Sequence, residues 1–256
     1  MRSESHFAQI RQPGEEPSAR RKVWTPVEQP LTIRANGQPV ALLMRQPGED
    51  LELAVGYCLT EGLVQEGRAI LSARHCETEA GIEDVLLAGT LAASPRLVGT
   101  ECLSAEDLLG ELPAALPLRR KPLVGAAALV RMAGELRDHQ EQHRLSGGTH
   151  AAALFTHDGQ FMVLREDVGR NNAVDKAVGY CILRQLSPTK MALLVTGRAS
   201  SSMVLKAVRA GVPILASISN TTSLGLDLAR RLRLTLVTYL RGQRFRVSAH
   251  PRRLGP

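Results

Sequence analysis

Apolar and polar positions along this chain change period several times, and each change marks a different kind of element. Two short alternating runs, 31–34 and 40–45, flank Asn36-Gly37, a dipeptide suited to the tight turn of a β-hairpin. After Gly48-Glu49-Asp50 the period lengthens, and Leu51, Ala54, Val55, Cys58 and Leu59 fall on one face of a helix ending near Glu61. A strand is expected over 84–88 and a short helix over 104–112, with Ser104 as its N-cap. A longer helix is expected over 123–144, opened by Pro122. From His150 onward, strands at 150–155, 161–165, 191–196, 213–218, 234–240 and 244–248 are interleaved with helices at 172–186, 200–210 and 222–232. Such interleaving predicts an α/β sheet covered on both faces. Residues 1–22 are polar, charged and broken by proline, which predicts a flexible tail. Residues 23–121 would then form a smaller N-terminal β-rich α+β lobe, and 122–256 the α/β domain. No internal repeat at a fixed period is visible.

The polar residues within this pattern are unevenly placed. Between Gly147 and Lys176 stand Gly147-Gly148-Thr149-His150 and Arg165-Glu166-Asp167-Val168-Gly169-Arg170-Asn171-Asn172, followed by Asp175 and Lys176. Packing alone does not call for Glu, Asp, two Arg and two Asn around one glycine between a strand and a helix, so the segment reads as a binding or catalytic loop. Two later strand-to-helix loops, Thr196-Gly197-Arg198-Ala199-Ser200-Ser201-Ser202 and Ser217-Ile218-Ser219-Asn220-Thr221-Thr222-Ser223, are rich in hydroxyls. In an open α/β sheet they lie at the carboxyl ends of the strands, where helix N-termini favour anions. Capping accounts for one Ser or Thr per loop, and both loops hold more.

Composition narrows the partners. The 256 residues are 44% hydrophobic and 22% charged, ordinary for a globular protein, but only 3% aromatic, which argues against the stacking platforms of single-strand nucleic-acid binders. The formal charge is +7, and eight arginines lie between Arg230 and Arg253. They suit either a general basic surface or a pocket for a phosphorylated small molecule. No nucleic-acid partner is expected, because the loaded loops outweigh any basic stripe. The cysteines at 58, 76, 102 and 181 show no close pairing, which suits a reducing compartment. With no signal-like segment and no apolar run of membrane-spanning length, a cytoplasmic protein without membrane association is expected.

The segments NGQPVALLMRQPGEDLELAVGYCLTEGL, GGTHAAAL, EDVGRNNAVDK, TGRASSSMVLKAVRAGVPILASIS and LTLVTYLRGQRFRVSAHPRRL carry a further signal. Together they resemble the formate dehydrogenase accessory sulfurtransferase family, and the likeness runs from about Val27 to Leu254. The resemblance implies a cytidine-deaminase-like α/β fold for the larger domain, and a homodimer. It implies a sulfur carrier that takes persulfide sulfur from a cysteine desulfurase and passes it to a molybdenum (or tungsten) bis(molybdopterin guanine dinucleotide) cofactor destined for the formate dehydrogenase catalytic subunit. The family's cofactor-binding segment corresponds to Tyr239, Leu240, Arg241, Gly242, Gln243 and Arg244. With His150, Glu166, Asp167, Arg170, Asp175, Lys176, Arg198, Ser200 and Ser201, these make up the expected cofactor-binding set. No structural metal is expected. Zinc deaminases use H-x-E and P-C-x-x-C elements, but Ala152 stands two places after His150 and no P-C-x-x-C occurs, so hydrolytic deamination is not expected.

The chain departs from the family pattern in two places. The family's C-x-x-C-G is reduced here to Cys102, with Ala105 at the second cysteine's spacing and no following glycine. Cys102 is the expected persulfide carrier, since one thiol suffices for carriage. Glu101, Glu106 and Asp107 would raise its pKa, and a helix starting near Ser104 would partly offset them. Cys58 and Cys181 fall on apolar helix faces and read as small buried hydrophobes. In the second departure, Asn171 stands where the family commonly has histidine, which removes a proton-transfer group. The alternative to a sulfurtransferase is a non-catalytic cofactor-binding chaperone that keeps the pocket and has lost sulfur transfer.

Overall fold

The computed structural model describes residues 1–9, 20–76, 80–89, 112–117 and 123–256. Cys102 and the helix expected over 104–112 therefore fall outside the described residues, apart from Leu112. The larger unit is built on a six-stranded mixed sheet. After the short strand β7 (Val124–Gly125), which pairs apart from it, its strands are β8 (His150–Thr156), β9 (Phe161–Asp167), β10 (Met191–Val195), β11 (Ile214–Ser217), β12 (Thr235–Arg241) and β13 (Arg244–Ala249), in spatial order β13-β12-β11-β10-β8-β9. β10, β11 and β12 run parallel, whereas β8, β9 and β13 pair antiparallel with their neighbours.

Strand alternation divides the sheet between two cores. Ala153, Phe155, Ala192 and Leu194 point to one side, where Leu129, Met132 and Leu136 of helix α2 (Ala126–Asp138) cover them. Ala152, Leu154, Leu193 and Val195 point to the other side. There they meet α4 (Arg170–Leu183), α5 (Ser201–Arg209) and α6 (Ser223–Arg231).

Behind α4 lies α1 (Asp50–Thr60), and beyond it a four-stranded sheet of β3 (Gln29–Ala35), β4 (Gln38–Arg45), β5 (Ile70–His75) and β6 (Ile82–Leu87), ordered β4-β3-β6-β5. The hairpin turns at Asn36 and Gly37, both in the left-handed region, as that dipeptide predicts. α1 is buried from Glu52 to Thr60 on every side, because it is sandwiched between this sheet and α4. The two helices cross in near backbone contact. A Cβ on Gly56 would lie 1.8 Å from the Asp175 carbonyl oxygen, and one on Gly179 would lie 1.8 Å from that of Glu52.

Two expectations differ from what is observed, and one observed strand has no expectation to match. Ser3–Gln9 is a strand (β1), paired antiparallel with β2 (Arg20–Pro26), where a flexible tail to residue 22 is expected. Most of its side chains are exposed, so no apolar alternation announces it; backbone pairing holds it. Its start is anchored because Gln46 Nε2 and the Val27 amide both donate to the Arg2 carbonyl, at 2.8 and 2.9 Å. The helix expected over 123–144 is broken at His139-Gln140, with α3 (Glu141–Ser146) following as a separate short helix. Strand β5 carries little alternation and escapes sequence reading; it forms by pairing with β6.

Candidate functional site

The parallel strands β10, β11 and β12 end together, and the two hydroxyl-rich loops lie at that edge as expected. They are joined to each other: the Ala199 amide donates to the Asn220 carbonyl at 2.9 Å, and the Thr221 hydroxyl donates to the Ala199 carbonyl at 2.7 Å. In the second loop the hydroxyls of Ser217, Thr221 and Thr222 are taken up by the fold. Thr222 caps α6 by accepting from the Gly225 amide, and Ser217 donates to the Gly197 carbonyl at 2.7 Å. The first loop differs. Ser200 stands at the N-cap of α5 without a side-chain cap bond, sharing a 2.9 Å contact with Ser202 instead. Ser202 donates to Asn171 at 3.2 Å, which ties this loop to the start of α4.

Beside these loops lies a cavity of about 380 Å3, lined by Gln140, His143, Thr149, His150, Thr196 and Ile218 among others. Its volume is in the range of small-molecule sites. The His150 ring nitrogen Nδ1 lies 3.4 Å from the Thr196 hydroxyl. Burial lowers the pKa of His150, and the positive charge of Arg170 and then His143 lower it further, so the ring is neutral near pH 7. Arg170 opens α4 and packs its side chain against Gly197, where an added Cβ would meet it at 3.1 Å. Its Nε is buried without a hydrogen-bond partner among the described residues, an arrangement suited to an anionic ligand atom. Arg198 is exposed on the adjoining loop.

The β12–β13 hairpin reaches the same edge. The Tyr239 amide donates to the Ser219 carbonyl at 2.9 Å, and Arg241 Nε donates to the Ile218 carbonyl at 2.7 Å. Tyr239 holds a left-handed backbone with φ of 51°, and its ring lies under Arg246 at 4.3 Å and Arg241 at 5.7 Å. Gly242 has φ of 55° at the turn, which favours glycine there, while Arg244 is exposed. Leu240 points into the α2-side core at 1% exposure.

Glu166, Asp167, Asp175 and Lys176, expected among the cofactor-binding residues, are buried and bonded to internal partners. The two Glu166 oxygens accept from the Gln142 and His143 amides, each at 2.8 Å, and so cap α3 from outside the helix. This explains why α3 starts afresh after the break. Asp167 accepts from the Gln46 amide at 3.1 Å and pairs with Lys176 Nζ at 2.7 Å, and Lys176 donates to the Gln46 carbonyl at 2.8 Å. Asp175 is bound by Thr60 at 2.6 Å and by Lys206 at 2.8 Å. Their polar atoms join the two layers of the molecule. Replacing Glu166 with alanine should therefore cost roughly 2–3 kcal/mol, with Glu166→Gln costing less because it keeps one acceptor. Urea unfolding of the two variants measures the difference.

The sequence reading missed Gln140 and His143, which fall inside its continuous helix. The only signal was an amide residue at the position where that helix breaks. Cys58 and Cys181 are fully buried as expected, and burial first of all pushes both thiols up to about 12. Among the described residues no group of three His, Cys, Asp or Glu side chains is placed to hold a metal ion.

Fold and site thus define a mixed α/β protein with a polar cavity and arginines at the carboxyl edge of its parallel strands. The FdhD/NarQ family matches residues 26–255, and the chain belongs to that family. It is 38% identical over 251 residues to the sulfur carrier protein FdhD of Mycolicibacterium paratuberculosis, spanning 90% of this chain and 91% of that one. It is 39% identical over 252 residues to the protein of the same name from Nocardia farcinica, spanning 92% and 89%. A crystal structure from Desulfotalea psychrophila, of a protein assigned as a formate dehydrogenase accessory protein, superposes with a TM-score of 0.82 at 27% identity over 99% of both chains.

Proposed function

We propose that this protein is a sulfur carrier required for formate dehydrogenase activity. It takes persulfide sulfur from a cysteine desulfurase and passes it to a molybdenum (or tungsten) bis(molybdopterin guanine dinucleotide), its substrate, before that cofactor enters the enzyme. The observation that carries the cofactor reading is the cavity beside Arg170 Nε, which has no partner among the described residues, at the edge where the α5 N-terminus and Arg241 also lie. A pyrophosphate fits such a set of cationic and N–H donors. Arg170, Arg198, Ser200 and Ser201 would hold phosphate oxygens, and Arg241 and Arg244 would add charge from the hairpin. Neutral His150 offers a ring nitrogen without adding charge.

The sulfur step runs through a thiolate. Attack of a cysteine thiolate on the outer sulfur of the desulfurase persulfide forms one S–S bond as another breaks, and the desulfurase leaves as its own thiolate. Cys58 and Cys181 cannot serve, being buried and held protonated. Cys102 stands at the family's cysteine position and is the carrier in this reading. The protein acts as a homodimer in the cytoplasm. The order of the central strands, with an antiparallel β8–β9 pair beside parallel β10, β11 and β12, supports kinship with the cytidine-deaminase-like fold.

Incubation with a desulfurase and cysteine, followed by mass spectrometry, should place an added sulfur on Cys102. Cys102→Ser should abolish that label and the maturation of formate dehydrogenase, whereas Cys58→Ser should not. A Cys102→Ser protein that still matures the enzyme, or a label confined to Cys76, would sink this assignment. An unlabelled protein that still binds the cofactor would favour the chaperone alternative.

A further inference from the structure

The six-stranded sheet ends at β9, and among the described residues no strand pairs with its outer edge. In an antiparallel ladder every second residue of such a strand turns its N–H and C=O away from its neighbour, so β9 presents a row of backbone donors and acceptors. A groove of about 330 Å3 is lined by all six residues from Phe161 to Glu166, together with Arg2, Glu49, Glu141 and Tyr180 among others. Successive side chains of a strand face opposite ways, so six consecutive residues line one groove only where it runs along the strand's edge. The opposite edge of the sheet is defended, since β13 carries exposed Arg244 and Arg246 at alternate positions. On β9 the half-buried Phe161, Met162 and Leu164 border the groove, and its one cation, Arg165, is bound to Glu52 at 2.6 and 2.9 Å. The Leu164 carbonyl accepts from the same guanidinium at 2.9 Å and keeps a second lone pair.

The groove also holds an acceptor without a donor. Glu49 stands at the N-cap of α1 with a left-handed backbone, φ of 52°, and its side chain does not cap the helix. One of its carboxylate oxygens accepts from Arg2, while the other, Oε2, is buried with no partner among the described residues. Glu166 uses both of its oxygens on the α3 amides, and Glu141 adds a further carboxylate to the lining. A cationic side chain complements this surplus of acceptors. We propose that the outer edge of β9 is a docking site for an extended segment of a partner protein, which adds as a strand along β9 and places a Lys or Arg against Glu49 Oε2. A second copy of this chain fits less well: β9 lies at the floor of a groove, so two copies would meet wall to wall before their strands could pair. The groove shares no lining residue with the 380 Å3 cavity, and the inference does not depend on the sulfur-carrier reading.

The test pans a phage-displayed library of random dodecapeptides on the immobilised full chain, then titrates a synthesised winner in solution by fluorescence anisotropy. Enriched peptides should carry a Lys or Arg within a run of alternating β-branched residues, and the bound peptide should slow hydrogen exchange at 161–166. Glu49→Gln, with its fold checked by circular dichroism, should weaken binding by roughly tenfold, as should replacing the peptide's cation with Met. The two changes together should do no more than either alone. If Glu49→Gln does not fold, the peptide variant decides by itself. No enrichment, protection elsewhere on the chain, or full affinity either in folded Glu49→Gln or for the Met peptide overturns the assignment. Protection of 161–166 that rises with protein concentration in the absence of peptide places a second copy on β9, and overturns it as well.

Discussion

Gly179→Ala is expected to yield little folded protein, or a melting temperature lowered far beyond an ordinary core substitution. The added methyl would lie 1.8 Å from the Glu52 carbonyl oxygen, with the Glu52 carbonyl carbon at 2.6 Å. Both obstacles are backbone atoms of α1, so no side-chain rotation relieves the clash. The helices would have to separate, and α1 is held from behind by the four-stranded sheet. Overpacking of a core commonly costs about 1–3 kcal/mol through side-chain shifts; a backbone clash at a helix crossing should exceed about 4 kcal/mol, a large part of a typical total stability. Separation would also stretch the ties between the layers, including the Arg165–Glu52 pair at 2.6 and 2.9 Å. Gly134→Ala is the matched control. Gly134 lies in α2 with nothing within 4 Å of an added Cβ, and removing a helical glycine there should stabilise by about 0.5–1 kcal/mol. Thermal unfolding of both variants decides the matter: a Gly179→Ala protein melting with wild type would contradict the close crossing.

That crossing illustrates what the sequence reveals and what it conceals. The strands and helices after His150 were legible because their periods are local: Ala152, Leu154 and Ala153, Phe155 alternate within one strand, and the sheet sorts them into two cores. The chemistry of the loop at 165–176 was legible as charge but not as direction. Glu166, Asp167, Asp175 and Lys176 face inward because their partners come from elsewhere: Gln142, His143, Gln46, Thr60 and Lys206. No spacing within the motif shows that. The break at His139 was hidden for the same reason, since a carboxylate on β9 supplies the cap, and His139 itself stacks on Phe161 of that strand at 4.0 Å. The family resemblance points to one edge of the sheet, whereas which of its charged residues are bound by internal partners is visible only in the folded chain.

Lys206→Met should destabilise the protein by about 3–5 kcal/mol near pH 8, and the loss should shrink as the pH falls. Lys206 is buried, and its ammonium contacts Asp175 at 2.8 and 2.9 Å, Glu61 at 2.5 Å and the Thr60 hydroxyl at 3.1 Å. Burial pulls the lysine pKa down, but the charges of Asp175 and Glu61 more than restore it, and the net shift is upward. Asp175 behaves otherwise. Burial pushes it up most, Lys206 pulls it down and Glu61 pushes it up again, and the balance leaves it at about 6. The two shifts are compatible, because the ammonium faces two carboxylates while Asp175 faces one ammonium and a like charge. With a folded-state pKa above the ordinary value of 3.8, Asp175 takes up a proton on folding between about pH 4 and 6. Its contribution to stability is therefore greatest on the acid side and declines as the pH rises through 6. Removing Lys206 leaves a buried carboxylate that must be protonated to remain inside, at a cost that grows with pH. Asp175→Asn supplies the neutral isostere. The double variant Asp175→Asn/Lys206→Met should be more stable than Lys206→Met alone at pH 8, with the gap closing toward pH 5. Urea unfolding of both proteins across that range checks the sign, and parallel pH profiles would show that Asp175 is not the group that Lys206 holds ionised.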